Sequence, residues 1–178
     1  MIETAWYFRL FYVNILCFVI SFVLYGIIKA KRMGSPEPKS MMIVFLILFI
    51  VGCVLMWFVP FSINRAFWIG IGIIILGEVI YALGFFAMRE HSEKKKTVVD
   101  WGIYKVSRHS HILAGIICVL GVIVMGWNPA SVIYMILWAY FVVYLLMSHF
   151  YILSEEKVNI EKFGNEYKDY MKKVPRYF

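Results

Sequence analysis

Residues 66–88 read AFWIGIGIIILGEVIYALGFFAM, an apolar run whose sole acidic or basic side chain is Glu78. It exceeds the roughly 20 residues that a helix needs to cross a bilayer's hydrocarbon core. Similar runs recur on both sides of it, so the chain reads as five spans: Trp6 to Ile28, Met41 to Val59, Ala66 to Met88, Ile112 to Met125 and Ala130 to Leu153. The fourth is short and ends in Gly126-Trp127-Asn128-Pro129, a turn signature that folds it into a tight hairpin with the fifth. A hydrophobic content of 62%, with 19% aromatics, lies far above that of a water-soluble domain of 178 residues and agrees with this class. The expected fold is an all-α integral membrane bundle of about five transmembrane helices with a cytosolic C-terminal amphipathic helix. Its single domain, 1–178, has three spans in 1–88, followed in 89–178 by a polar loop, the hairpin and a tail.

Basic residues orient the bundle. Every Lys and Arg except Arg9 and Arg65 falls in the loop after the first span, in the loop from Arg89 to Arg108, or in the tail after Glu155. Cytosolic segments retain positive charge, so an odd number of spans with the N-terminus outside and the C-terminus cytosolic accounts for this split. Either a prokaryotic plasma membrane or the endoplasmic reticulum would serve. The net charge of +7 sits beside the spans, where anionic lipid headgroups explain it, and nucleic acid is not an expected partner. Cys17, Cys53 and Cys118 all lie within spans and lack paired spacing, so neither a disulfide framework nor a metal site is expected. The first span lacks a small-residue cleavage site and reads as retained.

Polar side chains gather in two stretches, Arg89 to His111 and Glu155 onward, which the hairpin returns to the same membrane face. In the tail, Ile160, Phe163, Tyr167, Tyr170 and Val174 recur at spacings of three and four, as in an amphipathic helix, with Gly164 marking a break. Glu155 and Glu156 read either as the solvated first turn of that helix or as ligand groups. Glu78, within a span, reads either as a functional group or as a protonated acid hydrogen-bonded between helices, with Tyr81 or Asn14 as partner. Gly70, Gly77 and Gly84 share one helix face at heptad spacing and permit close helix approach.

The run Gly102-Ile103-Tyr104-Lys105-Val106-Ser107-Arg108-His109, followed by Asn128-Pro129, Glu155-Glu156, Phe163-Gly164-Asn165-Glu166-Tyr167 and Val174-Pro175, resembles the isoprenylcysteine carboxyl methyltransferase family. That family sits in a wider group with phospholipid N-methyltransferases. The resemblance covers about the last 80 residues. It implies a membrane enzyme that binds S-adenosylmethionine between the last helices and the cytosolic tail and takes a lipophilic acceptor from the bilayer. Oligomeric state is left open.

Cofactor contacts are then expected from Tyr104, Arg108, His109, Glu155, Glu156 and Tyr167. A carboxylate suits a ribose diol, as on dinucleotides. A cation suits the amino-acid carboxylate, and an aromatic face suits the sulfonium. His109 and Glu156 are the expected catalytic groups, as base for an amine acceptor; a carboxylate acceptor needs none. Tyr151 and His149 are expected to face the acceptor, with a packed interhelical role as the alternative for His149. Ser110 and Ile112 stand where the family usually has proline and an aromatic residue. Tyr151 stands where its carboxylate-acting members have arginine, which weighs against carboxyl methylation more than against cofactor binding. The rival readings are an NADPH-dependent sterol-type reductase, similar around an Arg-His motif, and a non-catalytic lipid-binding subunit. No strand-turn-helix G-x-G-x-x-G is present, so a soluble nucleotide-binding fold is not expected.

Overall fold

The computed structural model describes residues 43, 44, 47, 48, 50–52, 54, 55, 58, 63–92 and 97–177. These all belong to one unit, Glu37–Phe178. The span expected over Trp6 to Ile28, and Asn14 with it, lies outside the described residues. The described residues between 43 and 55 are helical.

Helix α1, Arg65–Ser92, contains 28 residues and is about 42 Å long at 1.5 Å per residue. Its start is set locally, because the Asn64 side-chain oxygen accepts the backbone N–H of Phe67 at 3.0 Å and so caps a donor the helix leaves unpaired. After a 3₁₀ turn at Gly102–Lys105, α2 runs over Ser110–Met125. Its 16 residues reach only about 24 Å, short of a hydrocarbon core of about 30 Å. The Gly126–Pro129 turn follows as expected, with the Ser131 N–H donating to the Asn128 carbonyl at 3.0 Å.

Helix α3, Val132–Phe163, departs from expectation. The sequence divides the fifth span from the tail near Glu155, yet the helix crosses Leu153-Ser154-Glu155-Glu156 unbroken. Nothing there breaks a helix, since leucine and glutamate both favour one. At 32 residues α3 is about 48 Å long, so its apolar first two thirds can cross a bilayer while its charged last third projects beyond it. The helix stops at Gly164, whose φ of +58° is readily adopted by glycine and strained for other residues. A short helix α4, Asn165–Lys173, follows as an amphipathic element.

Among the described residues, two helices are long and apolar enough to span a membrane: α1 over Arg65–Met88, and α3. Both turn large apolar side chains outward, including Trp68, Phe86, Val132 and Phe150, each more than half exposed. Lipid would solvate such faces; water would not.

The glycines expected to permit helix approach lie where α1 meets α2. A Cβ on Gly70 would fall 2.5 Å from the Gly121 carbonyl oxygen and from the Met125 nitrogen. One on Gly77 would fall 2.5 Å from Cys118 Sγ, and one on Gly84 3.1 Å from Ser110 Oγ. On α3, Tyr140 donates from its hydroxyl to the Leu48 carbonyl at 3.0 Å, which ties the helical residues around 43–55 to the hairpin.

Candidate functional site

The site is built on the start of α2 and the projecting third of α3. His109 is the N-cap residue of α2, and its carbonyl accepts the N–H groups of Ile112 and Leu113 at 3.0 Å each. Because α2 and α3 run as a hairpin, residue 109 returns beside residues 155 and 156. His109 Nδ1 lies 3.1 Å from Glu155 Oε2, and Nε2 lies 3.4 Å from Glu156 Oε1. One imidazole thus bridges two consecutive carboxylates, with only 1% of the residue exposed.

Glu156 collects further cations. Arg108 Nη2 is 3.3 Å from its Oε1. Arg176 makes a two-point pair with it, donating from Nε to Oε1 at 3.1 Å and from Nη2 to Oε2 at 2.7 Å. Two-point guanidinium–carboxylate pairs are the strong and geometrically exact members of their class. His111 Nε2 stands 3.9 Å from Glu155 Oε2, in the first turn of α2.

These contacts set the protonation states. Burial pushes the Glu156 carboxyl upward, but hydrogen bonds from His109 and Arg176 and the charge of Arg108 outweigh it and hold the group down at about 2. For His109, burial disfavours the cation, and the hydrogen bonds and charges of Glu155 and Glu156 overcome it, raising the imidazole above its ordinary value. Burial raises the Tyr167 phenol to about 12, against a hydrogen bond from Asn159.

The expected residues fall into two groups. Tyr104, Arg108, His109, Glu155, Glu156 and Tyr167 come together. Tyr104 is buried in the 3₁₀ turn and its carbonyl accepts the Tyr170 hydroxyl at 2.6 Å. Tyr167 packs beside Tyr170, with ring centroids 5.9 Å apart. About a turn earlier along α3, Tyr151 is buried in an apolar cluster with Ile112 and Ile152, against which Ile116 and Tyr177 pack. His149 Nδ1 lies 2.7 Å from the Tyr177 hydroxyl, and the two rings stack.

Sequence reasoning missed Arg176, which counted only as tail charge although it directly follows the quoted Val174-Pro175. It also missed Tyr170, placed in the apolar stripe but holding the 3₁₀ turn by its hydroxyl, and Asn159, which is buried on α3. The solvated reading of the glutamate pair is replaced by a buried one, with side chains only 10% and 5% exposed.

One feature of the cluster remains unsatisfied. The Arg108 side chain is 7% exposed, and its Nε and Nη1 are buried without a hydrogen-bond partner among the described residues. A guanidinium left in that state is costly unless an anion completes it. The group that the resemblance implies fits this requirement, since it carries an amino-acid carboxylate for Arg108 and a ribose diol for a glutamate. Among the described residues no group of three or more His, Cys, Asp or Glu could hold a metal ion.

Comparison with known proteins bears on the same region. Two rice sequences, from the indica and japonica subspecies of Oryza sativa and each described as a probable protein-S-isoprenylcysteine O-methyltransferase, are 27% identical to this chain over 128 residues. The alignment covers 66% of this chain and 60% of each relative, so the chain spans somewhat under two thirds of the length of the relatives it matches. No solved structure matches it. The profile of phospholipid methyltransferases matches residues 63–166, which hold α1, α2, α3 and the whole Arg108–His109–Glu155–Glu156 cluster. The chain belongs to the phospholipid methyltransferase family.

Proposed function

We propose that this protein transfers a methyl group from S-adenosylmethionine to a lipophilic, membrane-borne acceptor at the cytosolic face. The observation that carries the proposal is the buried Arg108 guanidinium, with Nε and Nη1 unpartnered beside the His109-bridged glutamates. It supports a site for a small zwitterionic ligand that also has hydroxyls to bind. S-adenosylmethionine, when bound, supplies a methyl carbon already activated by its sulfonium, so the protein's work is to position the acceptor and exclude water.

In this reading Arg108 binds the amino-acid carboxylate, Glu155 the ribose diol, and Tyr104 and Tyr167 line the adenosine side. Glu156 keeps its negative charge and fixes the site's geometry, while His109 in its neutral form takes the proton that an amine acceptor must lose before it attacks. Tyr151 and His149 lie on the bilayer side and face the acceptor. A neutral Tyr151 in apolar surroundings suits a lipid whose reacting group is not a carboxylate, and a phospholipid-type amine is the acceptor class we favour.

Calorimetry on detergent-purified protein with S-adenosylhomocysteine, and NADPH for comparison, tests this. The expected result is saturable binding of S-adenosylhomocysteine only, abolished in Glu155→Ala and His109→Ala variants that keep their helical content. Binding of NADPH alone would reassign the protein as a reductase, and no binding of either would make it non-catalytic.

A further inference from the structure

Residues 174–177 form a strap across the site, pinned from both sides. The Arg108 N–H donates to the Pro175 carbonyl at 3.2 Å, and Ser107 Oγ donates to the Arg176 carbonyl at 3.3 Å. Tyr177 reaches His149, while Arg176 grips Glu156 seven residues further along α3. Seven residues are close to two helical turns, so the strap's two side chains hold one face of α3 at points about 10 Å apart. The position of Arg176 is therefore fixed independently of its own side-chain pair.

That position sets what Arg108 can do. A buried arginine beside a carboxylate ordinarily closes a two-point pair with it. Here both oxygens of Glu156 are already held by Arg176, and Arg108 reaches the glutamate with Nη2 alone, at 3.3 Å. Its other donors are left buried and unpaired. Charge points the same way. The guanidiniums of Arg108 and Arg176 balance the carboxylates of Glu155 and Glu156, and removing Arg176 leaves the carboxylates in excess and draws Arg108 toward Glu156.

We infer that Arg176 is a positioning residue that occupies Glu156 and thereby keeps the Arg108 guanidinium open for the carboxylate of the bound ligand. This rests on the proposed binding of S-adenosylmethionine and assigns a role to a residue outside the segment matched by the family. The strap is thus a working part of the site as well as a cover. Removing Arg176 lets Arg108 swing onto Glu156 and close the pair, which withdraws the anion site while leaving the adenosine side unchanged.

Two ligands separate this from a general structural role: S-adenosylhomocysteine, and 5′-methylthioadenosine, which keeps the adenosine and the thioether but lacks the amino-acid carboxylate. Both are titrated by calorimetry into wild type, Arg176→Ala and Arg176→Lys, with helical content and melting temperature as checks on folding. In Arg176→Ala, affinity for S-adenosylhomocysteine should fall about tenfold or more, as expected for loss of a charge-assisted pair, while affinity for 5′-methylthioadenosine stays at the wild-type value. Lysine, a point charge without the fork, should give an intermediate loss for S-adenosylhomocysteine alone and serves if the alanine variant does not fold. Equal losses for both ligands, or no loss for either, overturn the inference. Absence of S-adenosylhomocysteine binding in wild type overturns the functional proposal itself, a result visible before any variant is compared.

Discussion

At the scale of single residues, the site is a charge cluster whose members fix one another's protonation. His109 is held above its ordinary 6.5, so the stability it contributes is complete below 6.5 and is lost as pH rises through its folded value. Glu156 is held at about 2 against an ordinary 4.5, so its contribution is present above 4.5 and is lost only as pH falls toward 2. Between these limits, from about 4.5 to 6.5, both contributions are complete. The melting temperature of the purified protein should therefore fall on the alkaline side. In His109→Gln the alkaline slope should flatten while the acid limb persists. Scanning fluorimetry from about pH 2 to pH 9 checks this, and an alkaline slope unchanged in the variant would remove His109 as its source. Glu156→Gln is the harsher change. It leaves Arg108 and Arg176 without their shared carboxylate, and loss of one partner of a buried ion pair costs about 3–5 kcal/mol.

At the scale of elements, the site depends on how closely α1 and α2 approach. Gly70 faces the backbone of Gly121 and Met125, atoms that cannot rotate aside, whereas a Cβ on Gly72 would meet nothing within 4 Å. Gly70→Ala should therefore destabilise the bundle by about 1–3 kcal/mol, the usual range for overpacking. Gly72→Ala should leave stability unchanged or raise it by up to about 1 kcal/mol, the helix-propensity gain of alanine over glycine. Thermal unfolding followed by circular dichroism compares the two, and equal effects would mean that the α1–α2 contact is not the reason for the glycine. The pair isolates packing from propensity, because alanine is the better helix former at both positions.

At the scale of the whole molecule, the charge distribution and the outward apolar faces of α1 and α3 describe a protein solvated by lipid, with its site at one interface. We expect α4 and the strap on the cytosolic side and the start of α1 on the other. In a background lacking Cys17, Cys53 and Cys118, a cysteine at Lys172, whose side chain is 76% exposed, should react with a membrane-impermeant maleimide only when the cytosolic face is accessible. A cysteine at Ile63 should react only from the opposite face. Modification of Lys172→Cys in sealed, right-side-out membranes would invert the topology and place the site outside.

Much of this was legible in the chain alone. Membrane residence follows from runs such as 66–88, because hydropathy is a sum over neighbouring residues and needs no knowledge of packing. The 126–129 turn, the stop at Gly164 and the close-packing face of Gly70, Gly77 and Gly84 are likewise local, set by backbone freedom and helical periodicity. The Arg108–His109 and Glu155–Glu156 pairs could be picked out because their residue types suit the ligand's groups. What each pair touches was decided only by the tertiary structure. The His109 bridge closes across 46 residues of sequence, and the strap returns from residue 176 to residue 107. Contacts of that separation depend on the tilt and length of the helices between them. That α3 runs on past Glu155 is why the glutamates are buried ligands of cations and not a solvated first turn. That Arg176 rather than Arg108 takes both oxygens of Glu156 depends on where the packed strap places its guanidinium, and no spacing along the chain encodes that position.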